Sequence, residues 1–381
     1  MDPTLADVMP SVAAAFGIDG PNPLALGSER DVVVLLVDGL GSELVARSAD
    51  DAPTLAAHIR ATLRAGFPAT TATSLTSLAV GAPCAVHGVI GYSFAVRNPE
   101  TRSPRTLNAL RWRFDTADGP DARDGAEPES VQPVTSVLQR LAASEVDVHY
   151  VVPGYQARSG LTRAAFRATG VVHEAADLDE VRDGILAVAR GSSRRSAHRR
   201  FAYAYYPGLD MAGHLHGPES PEWHDELRAV DAMVADLFSE LPPTCTLLVT
   251  GDHGMISAGV RVDLDATPDL HRGVRTIAGE ARVRHVYLDA PTARADIVDT
   301  WTGVVGDHAR IATREQAFDE RWFGPQTPGP GVAERIGDVI AVAQNDSVLI
   351  RPESEPMESA MIGHHGAWTA DEQFVPLVVN R

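Results

Sequence analysis

Lysine is absent from the chain, so all 33 basic residues are arginine. Against them stand 51 acidic residues, and the formal charge is −18 at pH 7. A surface so short of cations repels polyphosphate backbones, which argues against a duplex-binding role or any nucleic-acid polymer as partner. Small anionic substrates stay open, because bound cations reverse the field locally. Cysteine is nearly absent too, with only Cys84 and Cys245, far apart in sequence. That excludes a disulfide framework and a cysteine-rich zinc module. No apolar run approaches the ~18 residues of a membrane-spanning helix, so no membrane partner is expected. The start, Met1-Asp2-Pro3-Thr4, shows no basic segment followed by an apolar one, so the expected location is the cytoplasm.

What is present is ordinary for a globular chain: 381 residues, 44% hydrophobic and 22% charged. Asp31 to Val37 reads Asp-Val-Val-Val-Leu-Leu-Val, a run that predicts a strand buried on both faces of a parallel sheet. Similar strands are predicted at Val146–Val152, Phe201–Tyr206, Thr246–Thr250 and Phe374–Val379. Between them lie helical patterns. The clearest runs from Trp223 to Leu241, with Trp223, Leu227, Val230, Val234, Leu237, Phe238 and Leu241 on one stripe. Strands alternating with helices imply an α/β class with a mostly parallel sheet flanked by helices.

Asp115 to Ser130 is acidic and rich in Asp, Gly and Pro, and reads as a surface excursion. Arg190 to Arg200 holds five arginines and reads as a solvated turn. From Val262 to Glu355 the texture changes. Strands are predicted at Arg284–Leu288, Ala309–Thr313 and Val339–Val342, and helices at Thr292–Val304 and Arg314–Trp322. The expected organisation is an α/β core of residues 1–261 and 356–381, with 262–355 a smaller α+β insertion or cap.

Five segments place acidic, hydroxyl or imidazole groups after a predicted strand or in a glycine-rich turn, where open α/β sheets bind ligands. Asp38 ends the first strand; taken alone, it could simply cap the next helix. Phe67-Pro68-Ala69-Thr70-Thr71 leads into an apolar period, so a helix N-terminus is expected there, suited to an anion. Asp210 and His214 are four apart after a strand, with His216 close by and expected to stand behind the ligands or stay solvated. Gly251-Asp252-His253-Gly254 ends another strand, and its glycines permit a tight turn. Gly363-His364-His365-Gly366 precedes the last strand. A mixed Asp/His set suits zinc or manganese better than magnesium or calcium. Two such ions about 4 Å apart form a clamp for in-line displacement at phosphorus.

The order Asp, Phe-Pro-x-x-Thr, Asp-x-x-x-His, Asp-His-Gly, Gly-x-His-Gly, spanning residues 38–366, resembles the alkaline phosphatase superfamily, and within it the type I phosphodiesterase/nucleotide pyrophosphatase family. The resemblance implies an alkaline-phosphatase-like core and two divalent metal ions, zinc or manganese. By that resemblance Asp38, Thr71, Asp252 and His253 would hold one ion, and Asp210, His214 and His365 the other. Thr71 would be the nucleophile, with Thr70 as its neighbouring alternative, and His365 is preferred to His364. Where the family carries an Asn that contacts the phosphoryl group, this chain has Tyr92. Segments 67–75, 322–325, 335–338 and 358–363 are similar to those of actinobacterial cyclic di-AMP phosphodiesterases, a group related to phosphonoacetate hydrolases. The implied substrate is a small nucleotide, cyclic di-AMP or linear pApA cleaved to AMP, handled by a monomer. A general nucleotide pyrophosphatase or a phosphonoacetate hydrolase is the same-fold alternative, and a non-catalytic nucleotide sensor the different-class one. Tyr92, Phe94, Trp112, Tyr155 and Tyr206 are candidate platforms for bases, though for each a place in the core is the more frequent role.

Overall fold

The computed structural model describes residues 2–97, 104–191 and 199–380. The segment 192–198, which holds most of the arginine-rich turn, lies outside the described residues.

A seven-stranded sheet forms the centre. Its strands in chain order are β1 (Asp31–Val37), β2 (Ile59–Arg64), β3 (Val146–Val152), β4 (Val171–Glu174), β5 (Arg199–Tyr206), β6 (Cys245–Thr250) and β7 (Phe374–Val379). Their spatial order is β2-β7-β6-β1-β5-β3-β4. The five strands from β6 to β4 run parallel, while β7 is antiparallel to both its neighbours. The apolar run of β1 follows from its central place. Val32, Val34 and Leu36 enter one hydrophobic layer, and Val33, Leu35 and Val37 enter the other. Full burial of each such side chain contributes about 1.5–3 kcal/mol. β2 was not predicted, because an edge strand alternates with solvent and only its Leu63 is fully buried.

The long helix Pro221–Glu240 turns Trp223, Leu227, Val230, Val234 and Leu237 onto the sheet, as its period predicts. Its Asp231, also buried, accepts the backbone N–H groups of Leu55 and Thr54 at the start of a short helix.

A second, wholly antiparallel sheet of four strands lies between residues 274 and 343, in the order Val274–Glu280, Val283–Leu288, Val339–Ala343, Ala309–Thr313. The helix Arg294–Val305 covers it with Ile297, Trp301 and Val305. The strand Val274–Glu280 was not anticipated. A small three-stranded sheet is built from Ser93–Arg97, Pro104–Asn108 and Arg113–Phe114. The acidic excursion that follows is not purely superficial. Ala122 and Ala126 are buried, and the Trp112 indole N–H donates to the Ala126 carbonyl at 2.8 Å. No helix among the described residues is long and apolar enough to cross a membrane.

Candidate functional site

The adjacent parallel strands β6, β1 and β5 end at one level, since Leu36 pairs with Thr250 and Val37 with Tyr206. The residues just beyond their carboxyl ends are Asp252, Asp38 and Asp210. Three carboxylates are thereby brought together by register alone. The turns must be tight for this to work. Gly39 has φ of +76°, and a Cβ there would come within 2.9 Å of the Asp210 Cα. A Cβ on Gly254 would meet the Asp371 carbonyl oxygen at 1.9 Å.

Thr71 is the first residue of α1 (Thr71–Val80), and the extended Thr70 is its N-cap. The Thr71 hydroxyl lies 3.2 Å from His253 Nε2. Thr70 turns elsewhere and engages the Glu280 carboxyl through its side chain. Asp210 and His214 lie on α2 (Gly208–His216), with Asp210 Oδ2 and His214 Nε2 3.2 Å apart. His365 follows a short antiparallel pairing of Gly363–His364 with Ile256–Ser257. Its loop is tied to the α1 entry in both directions. Ala69 N–H donates to the Gly366 carbonyl, and His365 Nδ1–H donates to the Ala69 carbonyl at 3.0 Å. The His365 ring stacks on that of His253, with centroids 3.5 Å apart.

One pattern unites the three inward histidines. His214 Nδ1 meets the Gly363 carbonyl at 2.8 Å, His253 Nδ1 the Gly254 carbonyl at 3.0 Å, and His365 Nδ1 the Ala69 carbonyl. A backbone carbonyl requires a donor, so each Nδ1 carries a hydrogen, and each Nε2 is the ring atom turned toward the carboxylates. This is how metal-binding imidazoles are oriented.

The carboxylates complete the argument for cations. Asp38 Oδ1, Asp210 Oδ1 and Asp252 Oδ2 are buried without a hydrogen-bond partner. Burial, then the Asp252 and Asp210 charges, push the Asp38 carboxyl well above the usual range. Burial opposes charge on Asp210 as well, but His214 and His365 more than offset it and hold that carboxyl low. Burial likewise pulls His214 down, and Asp210 overrides it and carries the imidazole up to about 9. Lone buried oxygens facing one another are costly unless a cation sits among them. The residues present therefore fit divalent metal ions. Two groups have ligand atoms within 4.8 Å of one another: Asp210, His214 and His365, and Asp38, Asp210 and His253. Asp210 belongs to both, whereas the resemblance implied it for one ion only. Asp252 Oδ2 lies 3.5 Å from His253 Nε2, and its Oδ1 accepts the N–H groups of Gly39 and His253 at 3.1 Å.

The metal-fitting groups open into a cleft of about 930 Å³. Tyr92 lines it, with its hydroxyl donating to Glu358 Oε1 at 2.9 Å. Tyr155 lines it too and is 73% exposed. Three aromatic expectations need correction. Phe94 is wholly buried in the core and takes no part in the cleft wall. Trp112 lines the cleft but is 1% exposed and wedged against Gly160, so no ring face is free for a base. Tyr206 lies outside the cleft, packed over Gly208 and donating to Glu226. Among the alternative histidines, His216 sits at the surface 4.0 Å from Glu222. His364 is buried, with Nε2 toward the Met361 carbonyl, and burial lowers it to about 3.

Two site residues escaped the sequence reading. Tyr205 donates a short hydrogen bond to Asp38 Oδ2, brought there by its pairing with Leu36 beside the β1 end, a register that no local pattern announces. Glu280 reaches the cleft from the second sheet and is half-buried, with its Oε1 shut off from solvent and unpartnered. Burial raises its carboxyl to about 8. Nothing local marks it, because its strand carries no clear pattern.

Comparison with known proteins agrees with this arrangement. The structure of human ectonucleotide pyrophosphatase/phosphodiesterase 5 superposes with a TM-score of 0.66 at 14% identity, covering 91% of this chain and 87% of that one. The inactive murine form in complex with AMP gives 0.66 at 15%, covering 92% and 87%. Phosphonoacetate hydrolase from Sinorhizobium meliloti 1021, in complex with phosphonoacetate, gives 0.65 at 17%, covering 93% and 90%. At such identities the likeness is one of fold. The catalytic subunit of human GPI ethanolamine phosphate transferase 3 is 36% identical over 83 residues, which is 22% of this chain and 8% of that protein. Its Schizosaccharomyces pombe counterpart is 39% identical over 56 residues, 15% of this chain and 6% of that protein. The chain thus spans under a tenth of the length of these curated relatives. The sequence pattern of type I phosphodiesterase / nucleotide pyrophosphatase matches residues 32–368, most of the chain, and the chain belongs to that family.

Proposed function

We propose that the protein is a metal-dependent hydrolase of nucleotide phosphodiesters, acting on cyclic di-AMP and linear pApA to release AMP. The observation that carries the reading is the set of unpartnered carboxylate oxygens and inward-turned Nε2 atoms converging beside the Thr71 hydroxyl. Asp38, Thr71, Asp252 and His253 would hold one divalent ion, and Asp210, His214 and His365 the other, with Asp210 close enough to share. Bound zinc or manganese would lower the pKa of a coordinated hydroxyl and neutralise charge on the phosphoryl oxygens.

Thr71 is the nucleophile of this reading. Its place at the first position of α1 adds the positive end of the helix dipole to the pull on its proton. After losing that proton, Oγ1 forms a bond to phosphorus while the bond to the leaving nucleoside oxygen breaks. The leaving oxygen takes up a proton. The phosphothreonine ester then yields to water by a second in-line displacement, which restores the hydroxyl. Thr70, turned to Glu280, positions the helix entry instead. Residues 262–355 act in this reading as a cap that contributes Glu280 to the cleft.

A hydrolysis panel tests the proposal: cyclic di-AMP, pApA, a dinucleoside pyrophosphate and phosphonoacetate, read by product chromatography. AMP from cyclic di-AMP and pApA at the highest kcat/KM supports it. A higher kcat/KM on phosphonoacetate installs the C–P hydrolase instead, and tight nucleotide binding without turnover installs a sensor.

A further inference from the structure

The cleft also carries a chemistry that the metal centre does not use. Four of its lining residues are arginines: Arg111, Arg113, Arg123 and Arg158. Arg111 is paired with Asp118 at 3.3 Å, and Arg123 grips Asp121. The other two keep their charge. Arg113 donates to the Gly119 carbonyl at 3.0 Å, and no carboxylate among the described residues lies within ion-pair distance of it. Asp121 is near but is held by Arg123. Arg158 is exposed and has no hydrogen-bond or ion-pair partner among the described residues. In a chain of charge −18, two uncompensated guanidinium groups in one cleft are a specific feature.

The same rim carries apolar surface. Leu110, Tyr155, Met211 and Met357 line the cleft and are 38%, 73%, 55% and 65% exposed. Large exposed apolar side chains gathered around one cavity mark a binding surface. Tyr155 lies in the short helix Gly154–Ala157 just after β3, three residues before Arg158, and lines the same cleft as Asp38. The volume of about 930 Å³ is near the top of the roughly 300–1,000 Å³ usual for small-ligand pockets, so one mononucleotide would leave it partly empty.

We propose that Arg113 and Arg158 form a distal anion subsite that takes the second phosphate of a dinucleotide, with Tyr155 and the methionines against the intervening base. The proposal rests on the phosphodiester reading of the Thr71 end and names its substrate class more narrowly. Guanidinium groups suit a phosphate because their fork matches two of its oxygens. A terminal phosphate bears more charge than a diester, so 5′-phosphorylated linear dinucleotides would gain most.

The test compares the metal-loaded full chain on pApA, on ApA lacking the 5′-phosphate, and on bis(p-nitrophenyl) phosphate. The wild type is expected to favour pApA over ApA by about tenfold or more in kcat/KM, with the difference in KM. In the Arg113→Ala/Arg158→Ala double variant that ratio should fall to near one, while melting temperature and metal content stay at wild-type values. A wild type that cleaves bis(p-nitrophenyl) phosphate but treats pApA and ApA alike overturns the subsite alone. So does a double variant that keeps the preference. No cleavage of any of the three overturns the phosphodiester reading and the subsite with it.

Discussion

The Arg282 guanidinium and the Glu372 carboxylate lie 2.7 Å apart, with neither side chain exposed to solvent. Arg282 sits between two strands of the second sheet, and Glu372 is in the segment that leads from His365 into β7. Glu372 also accepts the N–H groups of Ala367 and Thr369, so one carboxylate fixes the loop behind His365 and ties it to the second sheet.

Removing either partner should therefore cost much more than a surface pair would. Breaking a buried ion pair leaves the other charge stranded, at about 3–5 kcal/mol. Glu372→Gln and Arg282→Ala are each expected to lose stability on that scale in denaturant titrations. A loss under about 1 kcal/mol would mean the pair is dispensable.

Asp210 joins both candidate metal groups, whereas Asp252 is in neither of the two sets whose ligand atoms lie within 4.8 Å of one another. Asp210→Asn should deplete bound metal more than Asp252→Asn, and both should lower kcat by about a hundredfold or more. Elemental analysis and activity after exhaustive chelation, with zinc or manganese added back, check this. Full activity in the chelated enzyme would refute the metal requirement.

Thr71→Ala should lose turnover by about a thousandfold or more, and Thr70→Ala should be mild, since only Thr71 faces His253. Two in-line steps also require net retention at phosphorus, readable with a chiral phosphorothioate. Inversion, or an active Thr71→Ala enzyme beside a dead Thr70→Ala one, would show the nucleophile to be misassigned.

Stability should fall in mild acid through two buried histidines outside the metal-fitting set. Burial, followed by the Arg335 charge, lowers His87 to about 3, and burial lowers His285 to about 4. Both depressed groups stay neutral in the folded chain while their unfolded counterparts take up protons below about 6.5. The unfolded state then binds more protons, so unfolding becomes easier as pH falls from about 6.5 to 4. Each histidine contributes about 1.4 kcal/mol per pH unit across its window. Urea titrations between pH 7 and 4 should show this slope, and His285→Gln should flatten it. An unchanged slope in that variant would place the acid sensitivity elsewhere.

Much of the architecture and most of the metal-fitting set were readable from local pattern. Asp38, Asp210, Asp252 and His253 follow apolar runs that could only be central strands, and glycines mark the turns that carry them. The strands Val146–Val152 and Phe374–Val379 end where their apolar runs end, for the same reason. Other features depended on contacts between residues far apart in sequence, which no local period encodes. Which aromatic faces the cleft was one such matter: Tyr155 and Phe94 are equally plausible as platforms in the sequence, and only packing exposes the first and buries the second. The sharing of Asp210 arises from the register of three strands joined through more than two hundred residues. Glu280 enters the cleft because the second sheet is docked there by Arg282 and Glu372. Arg113 and Arg158 both line the cleft because Trp112, beside Arg113, packs against Gly160, two residues beyond Arg158. Burial and partnership are properties of the assembled layers, and a residue's neighbours in the chain do not determine them.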